Sequence, residues 1–321
     1  MSDVIVCDDV RKRYGGTDVL DGFDLAVPAG MVYGLLGPNG AGKTTAVRIL
    51  TTLTRPDSGR VEVAGYDVAA APQAVRRRIG LVGQQPAVDE ALSGRQNLEM
   101  FARLYHLGAR QARHRAGELL DWFGLADTGN KPVKQYSGGM RRRLDLAASF
   151  ILAPAVLFLD EPTTGLDPHN RNQVWQAVRN LVATGTTVLL TTQYLEEADQ
   201  LAARISVMHH GRVAATGSPR ELKARMAGDR LDIVVHHTAD LSAATDLLRT
   251  RLGATPTVDL DTRRASAAVD DPVAALSDIA SALRAASIPV EDLAVRRPTL
   301  DEVFLHLTDP RTDSVAEEAH P

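Results

Sequence analysis

Residues 37–44 read Gly-Pro-Asn-Gly-Ala-Gly-Lys-Thr. They fit the pattern G-x-x-x-x-G-K-[ST], in which backbone N–H groups surround phosphates, the lysine reaches the β- and γ-phosphates and the hydroxyl binds Mg²⁺. The flanking residues fit this use, because the apolar residues 31–36 predict a short strand and residues 46–53 predict the start of a helix. The positive end of such a helix faces a bound anion. This stretch therefore predicts a loop that binds ATP together with Mg²⁺.

A second segment ends in two adjacent carboxylates. Residues 155–159 form an apolar run typical of a strand buried on both faces, and Asp160 and Glu161 follow it directly. The two acids suit different tasks: Asp160 suits the Mg²⁺ shell, whereas Glu161 can hold the attacking water and take its proton. The segment therefore predicts an ATPase with Glu161 as the general base.

A third segment lies between these two, where residues 136–140 read Tyr-Ser-Gly-Gly-Met. Ser137 can cap a helix that runs to about Ala153, and Gly138 and Gly139 let its N–H groups approach an anion closely. In this order of motifs, the segment resembles the signature motif of ATP-binding cassette (ABC) ATPases, which usually reads Leu-Ser-Gly-Gly-Gln. Tyr136 and Met140 replace its outer residues.

The resemblance implies a homodimer. In the ABC family two copies pack head to tail, and each ATP lies between the phosphate loop of one copy and the signature motif of the other. The implied signature contacts come from Ser137, Gly138 and Gly139. The implied nucleotide contacts of the other subunit are Tyr14, Gly37, Pro38, Asn39, Gly40, Ala41, Gly42, Lys43, Thr44, Thr45 and Gln84. The implied metal ligands are Thr44, Gln84 and Asp160, and the implied catalytic residues are Lys43, Glu161 and Gln193.

Three of these assignments carry alternatives or departures from the family. Gln85 competes with Gln84 for the role of the family's Q-loop glutamine, the residue that contacts Mg²⁺ or water. Tyr14 is implied to stack on adenine, but it could instead pack within a sheet. Most members have histidine at the position of Gln193. A glutamine amide can donate to the γ-phosphate, but it cannot become cationic or shuttle a proton. We expect hydrolysis to survive this exchange and to depend on Glu161.

Further segments resemble the daunorubicin/doxorubicin resistance subfamily, which shares this glutamine. They are residues 81–90, 191–199 and 297–305, so that the resemblance spans nearly the whole chain. It implies an ATPase on the cytoplasmic face of the cell membrane, docked on a separate integral-membrane permease of the ABC-2 type. The implied transport is efflux of a hydrophobic, anthracycline-like drug or of a lipid.

The pattern of elements predicts two domains. Residues 1–220 are expected to form an α/β ABC-type ATPase domain of the P-loop NTPase class, with a parallel sheet core, an antiparallel β flap and a helical subdomain at about 86–153. The flap strands are predicted at residues 4–7, 18–27 and 60–63. Residues 221–308 predict a small ferredoxin-like α+β domain in the order β-α-β-β-α-β, followed by a helix. Residues 309–321 are expected to be disordered.

Composition narrows the possible functions. The chain has 321 residues and a net charge of −4, which gives no electrostatic case for nucleic acid as a partner. Its single cysteine, Cys7, suits a reducing cytosol. Its longest apolar run, residues 150–159, contains Pro154 and is shorter than the roughly 20 residues of a spanning helix. The N-terminus lacks a leader pattern, so export is not expected. The alternative to transport is an ABC-type ATPase switch on ribosomes or DNA.

Overall fold

The structure, a computed structural model, describes residues 2–224 and 228–308. The chain folds as two compact units, Met1–Pro219 and a second that begins at Arg220. Residues 309–321, predicted to be disordered, lie outside the described residues. No helix in the described part of the chain combines the length and apolar character needed to cross a membrane.

The first unit contains two sheets and their helices. Its strands are β1 (Asp3–Tyr14), β2 (Thr17–Pro28), β3 (Val32–Leu36), β4 (Ser58–Val63), β5 (Tyr66–Asp67), β6 (Ile79–Val82), β7 (Val156–Asp160), β8 (Thr187–Thr192), β9 (Arg204–His209) and β10 (Arg212–Gly217). Its helices are α1 (Lys43–Leu50), α2 (Pro72–Arg76), α3 (Gly94–Leu104), α4 (Ala109–Trp122), α5 (Gly138–Ser149), α6 (Pro168–Ala183) and α7 (Leu195–Leu201). Helix α8 (Pro219–Ala224) begins at the boundary between the units.

The smaller sheet of the first unit is the predicted antiparallel flap. Its order is β2-β1-β4-β5, and β1 pairs antiparallel with both β2 and β4. Strands β1 and β2 extend beyond the predicted stretches at both ends, and β4 begins two residues before its predicted start. In β1, polar residues such as Lys12 and Arg13 continue the pairing with β2. Buried residues of the flap, among them Ile5, Phe23 and Val63, join the core that also covers α1.

The larger sheet has the order β10-β9-β3-β8-β7-β6. All neighbours are parallel except β10, which pairs antiparallel with β9. Every residue of β3, β7 and β8 is buried, as expected for strands covered on both faces. Because β8 lies between β3 and β7, the carboxyl ends of these three strands meet at one edge, where ligands bind in parallel sheets.

Helices dominate the chain between β6 and β7, as predicted for the helical subdomain. Two predicted helix boundaries differ from the structure. Helix α1 begins at Lys43, three residues before the predicted start at Ala46, because Gly42 already serves as its N-cap. It ends at Leu50, and beyond it Thr52 has a positive φ of 63° and Leu53 is exposed. Helix α5 ends at Ser149 instead of near Ala153, whose φ of 47° lies in the left-handed region.

The second unit has the predicted ferredoxin-like architecture. Its elements are β11 (Asp229–Val235), α9 (Leu241–Leu252), β12 (Thr257–Asp259), β13 (Arg264–Val269), α10 (Pro272–Ala285), β14 (Val290–Arg296) and α11 (Leu300–Thr308). The sheet order is β12-β13-β11-β14, and all pairs are antiparallel. Leu231, Ile233 and Val235 of β11 pack with Leu248 and Ile279 of the two helices to form a core.

An ionic cluster connects α11 to the sheet of this unit. The Arg296 guanidinium donates to both carboxylate oxygens of Glu302 at 2.9 and 3.0 Å and to Asp232 Oδ2 at 2.7 Å. Asp232 is only 6% exposed and also accepts from Ser266 Oγ at 2.6 Å. Glu302 and Thr299 form the predicted capping box, since each accepts from the backbone N–H of the other.

The pKa of Glu302 reflects this cluster. Burial raises it, but bonds from Arg296 and the Thr299 N–H, with the charges of Arg296 and Arg230, outweigh burial and lower the pKa to about 2. A carboxylate with a depressed pKa stabilises the fold above its unfolded pKa of about 4.3, and this contribution disappears as pH falls toward about 2.

We predict that Glu302→Gln destabilises the second unit at pH 7 by about 1–3 kcal/mol, because charge-assisted bonds are lost. Hydrogen exchange of the β11 amides measures this loss, which should shrink as pH falls below about 4.3. Glu291→Gln is the matched control, because Glu291 also accepts two bonds from an arginine, Arg263, but is 40% exposed. Equal effects of the two variants at pH 7 would contradict the prediction.

Candidate active site

The loop after β3 requires glycine at two positions. A Cβ on Gly37 would lie 2.8 Å from Met208 O, and one on Gly42 would lie 2.7 Å from Val19 O. Gly42 also has a φ of 104°, which disfavours any residue with a side chain, and it caps α1. Asn39 and Gly40 are exposed at the loop tip. The loop can therefore approach a phosphate with its backbone, and α1 begins directly behind it.

Lys43 folds back over this loop. Its Nζ donates to Gly37 O at 2.7 Å and to Pro38 O at 3.1 Å, and the residue is only 6% exposed. Burial lowers the pKa of Lys43, whereas the charges of Glu161 and Asp160 oppose that shift. The ammonium group thus lies beside the loop and in the field of both predicted carboxylates, where it can contact a phosphate.

Thr44 and Asp160 come together across the sheet edge, as a shared metal requires. Thr44 Oγ1 lies 3.5 Å from Asp160 Oδ2, and Thr191 Oγ1 donates to Asp160 Oδ1 at 2.5 Å. Hydroxyl and carboxylate oxygens are ligands that Mg²⁺ accepts, at about 2.0–2.1 Å from the ion, so two oxygens 3.5 Å apart can share one ion. These residues fit Mg²⁺. In the part of the chain that the structure describes, no group of three or more His, Cys, Asp or Glu residues forms another metal site.

Glu161 has an unusual backbone conformation. It follows β7 with a φ of 49°, in the left-handed region, which costs a residue with a side chain about 1–2 kcal/mol. Its N–H donates to Thr191 O at 3.0 Å, and its carboxylate accepts from Thr164 Oγ1 at 3.4 Å. The turn directs the chain away from β7 directly after Asp160, so the two acids occupy different environments: Asp160 is buried and Glu161 is half-buried.

The signature segment begins α5 as predicted. Ser137 Oγ accepts from the Met140 N–H at 3.2 Å, and Ser137 itself is exposed. Gly139 is buried, and a Cβ there would lie 2.0 Å from Asn170 Oδ1. Asn170 belongs to the first turn of α6, which Asp167 caps by accepting from the Asn170 N–H at 2.9 Å. The start of α5 thus packs against the start of α6 with no space for a side chain.

Most of the remaining predicted residues are at least partly accessible, whereas Ala41 of the loop is buried. Tyr14 is 46% exposed at the end of β1, with Lys12 Nζ 5.3 Å from its ring centroid. Gln84 and Gln85 are both exposed after β6, so the choice between them stays open, and Gln193 is exposed after β8. Thr45 is half-buried in α1. The roles assigned to these residues stay predictions.

The motifs did not indicate a buried carboxylate next to this site, Glu197 of α7. Its Oε1 accepts from Thr163 Oγ1 at 2.9 Å and from Trp175 Nε1 at 3.0 Å. Burial raises the pKa of Glu197, although bonds from Thr192, Trp175 and Thr163 and the charge of Arg171 oppose the rise. Glu197 therefore links the segment after Glu161 to helix α6.

Comparisons with known proteins show the family to which the chain belongs. The family model described as ABC transporter matches residues 20–164, and that of the ATP-binding protein DrrA1-3-like C-terminal domain matches residues 217–308. The daunorubicin resistance ATP-binding protein DrrA3 of Streptomyces coeruleorubidus is 63% identical over 304 residues, covering 95% of each chain. The chain belongs to the daunorubicin/doxorubicin resistance subfamily of ABC transporter ATP-binding proteins.

Other relatives in this family extend the comparison. The daunorubicin/doxorubicin resistance ATP-binding protein DrrA of Streptomyces peucetius is 52% identical over 309 residues, covering 96% of this chain and 93% of the relative. A solved ATP-binding cassette, dimeric in a post-hydrolysis state with ADP and Pi, is 25% identical with a TM-score of 0.60, covering 67% of this chain and 98% of that one. The chain is therefore an ABC-type ATPase, and the alternative of a switch on ribosomes or DNA is not favoured.

We predict that Glu197→Leu lowers the free energy of unfolding by at least about 2 kcal/mol, because two buried donors, on Thr163 and Trp175, lose their acceptor. Glu197→Gln keeps an acceptor and should stay within about 1 kcal/mol of the parent. Urea unfolding followed by tryptophan fluorescence at pH 7 measures both.

The parent and the Glu197→Gln variant should also differ in how their stability depends on pH. Because the folded state raises the pKa of Glu197, the parent should lose stability relative to Glu197→Gln as pH rises above about 4.3. Equal losses in the Leu and Gln variants, or no change of the difference with pH, would contradict this account.

Proposed function

We propose that this chain is the ATP-hydrolysing subunit of an ABC exporter that expels a hydrophobic, anthracycline-like drug or a lipid. It would work on the cytoplasmic face of the membrane, docked on a separate permease of the ABC-2 type. The observation that carries the proposal is the juxtaposition of Lys43, Thr44 and Asp160 beside Glu161, on a chain similar to drug-resistance proteins over 95% of its length. The names of those relatives support a drug as the cargo.

The site residues would divide the chemistry among them. Lys43 would hold the β- and γ-phosphates, while the loop N–H groups hold the remaining phosphate oxygens. Thr44, Asp160 and Gln84 would bind Mg²⁺, which when bound neutralises charge on the phosphates. Glu161 would hold the attacking water and accept its proton, and Gln193 would donate a hydrogen bond to the γ-phosphate.

A second copy would complete each site. The exposed Ser137 and the N–H groups of the first turn of α5 make a helix N-terminus suited to an anion. In the proposed homodimer, this end would face the ATP held by the partner subunit. ATP binding would then stabilise the closed dimer, and hydrolysis with product release would open it again, which moves the permease.

We predict that Glu161→Gln lowers the ATPase turnover by about 10²–10⁴-fold, because the base is lost while phosphate contacts stay. ATP-bound dimers should accumulate, as measured by light scattering in Mg-ATP. Glu118→Gln is the control, since Glu118 is exposed on α4. Normal turnover of Glu161→Gln would show that Glu161 is not the base. A protein that stays monomeric in saturating Mg-ATP would contradict the proposed homodimer.

We also predict that a matching permease brings the chain to the membrane and makes its ATPase rate depend on cargo. Co-expression with candidate permeases, followed by membrane fractionation and ATPase assays with daunorubicin and with lipids, measures both effects. Cells that carry the pair should resist the drug, whereas cells with the Glu161→Gln chain should not. Recovery of the chain on ribosomes, with no permease able to bring it to the membrane, would contradict the transport proposal.

A further inference from the structure

Arg142 in the second turn of α5 is a buried cation beside the catalytic segment. The residue is 5% exposed. Its Nε donates to Pro162 O at 2.7 Å, its Nη1 to Gly83 O at 2.6 Å and its Nη2 to Asp160 O at 3.4 Å. One guanidinium thus binds carbonyls from two loops, the one after β7 and the one after β6.

Two of these carbonyls lie on either side of Glu161. Asp160 precedes Glu161 and Pro162 follows it, and the left-handed backbone of Glu161 needs support from its surroundings. Arg142 supplies such support, because the planar, five-donor guanidinium holds the carbonyls of both neighbouring residues at once. The third carbonyl, of Gly83, directly precedes Gln84. The same side chain therefore fixes the start of the predicted Q-loop.

A buried acid keeps this cation in place. Asp145 Oδ2 lies 3.5 Å from Arg142 Nη1, and Asp145 Oδ1 accepts from the Ala87 N–H at 2.9 Å. Burial lowers the pKa of Arg142, and the nearby charge of Asp145 opposes the shift. A buried charge is tolerated only when its hydrogen bonds are made, so this group has little freedom to move. Fixed geometry of this kind is what a positioning residue requires.

We propose that Arg142 is a positioning residue for hydrolysis, which holds Glu161 in its left-handed conformation through the carbonyls of Asp160 and Pro162. The proposal rests on the proposed role of Glu161 as the base. Arg142 touches neither the phosphate loop nor the predicted metal ligand oxygens in the contacts described above. It acts mainly on the rate of the chemical step and makes no direct contact with the residues proposed to bind the phosphates.

Arg142→Gln should lower kcat for ATP hydrolysis by about 10–100-fold, the range expected when a catalytic group is misplaced by about 1 Å. KM for ATP should change by less than about twofold, and ATP-bound dimers should accumulate as in Glu161→Gln. Arg142→Lys, which keeps the charge but has no planar fork, should recover part of the loss. This variant also keeps the test valid if the Gln variant does not fold.

Arg143→Gln is the matched control. Arg143 is the next residue of α5 and also donates to two carbonyls, Phe123 O at 3.1 Å and Gly124 O at 3.4 Å, within the helical subdomain. Its substitution removes the same number of charges from the same helix without reaching the segment around Glu161. We expect kcat of this variant to stay within about twofold of the parent.

The double variant decides whether Arg142 acts through Glu161. If it does, Glu161→Gln combined with Arg142→Gln should hydrolyse ATP no more slowly than Glu161→Gln alone. Additive losses, a parent-like kcat in Arg142→Gln, or an equal loss in Arg143→Gln would overturn the proposal. Normal turnover in Glu161→Gln alone would have a different meaning. It would show that Glu161 is not the base, whereas the kcat of Arg142→Gln is measured independently of that result.

Discussion

The parallel pairing of β3, β8 and β7, each buried on both faces, is the constraint on which the site depends. Because these strands are adjacent and point the same way, their carboxyl ends bring the phosphate loop, Asp160 and Thr191 to one edge. A shift of one strand by one residue would move its side chains to the opposite faces of the sheet and disrupt their packing, so the distance between Thr44 and Asp160 is a property of the sheet. The chemistry of the loop residues follows from that placement.

The polar groups buried around this edge are held by specific partners. Lys43 binds loop carbonyls, Arg142 binds carbonyls of two loops, and Glu197 accepts from Thr163 and Trp175. Each charge removed from water is costly unless its bonds are satisfied, so the arrangement tolerates few alternative geometries. The left-handed turn at Glu161 lies among these groups, and the strain of that turn is balanced by contacts from other segments.

The second unit has a different basis for stability. Its sheet and two helices share an apolar core, while the opposite side of β11 carries Asp232 within an ionic cluster. Arg296 connects Asp232 to Glu302 at the start of α11, so the position of the last helix depends on charge-assisted hydrogen bonds. The family model of the DrrA1-3-like C-terminal domain matches this unit.

The sequence by itself determined the elements whose signals are local: the glycine loop, the apolar strand before Asp160, the Ser137 cap and the element order of the second unit. Glycines, caps and hydrophobic periodicity act on neighbouring residues, so they can be recognised without a fold. The start of α1 near Ala46 and the end of α5 near Ala153 were predicted wrongly, because the hydrophobic pattern does not fix the residue at which a helix begins or ends. Only the tertiary structure decided the roles of Arg142, Thr191 and Glu197. The partners that define these roles lie 18 or more residues away along the chain, and a single arginine, threonine or glutamate on a helix or strand carries no local signal of what it will contact.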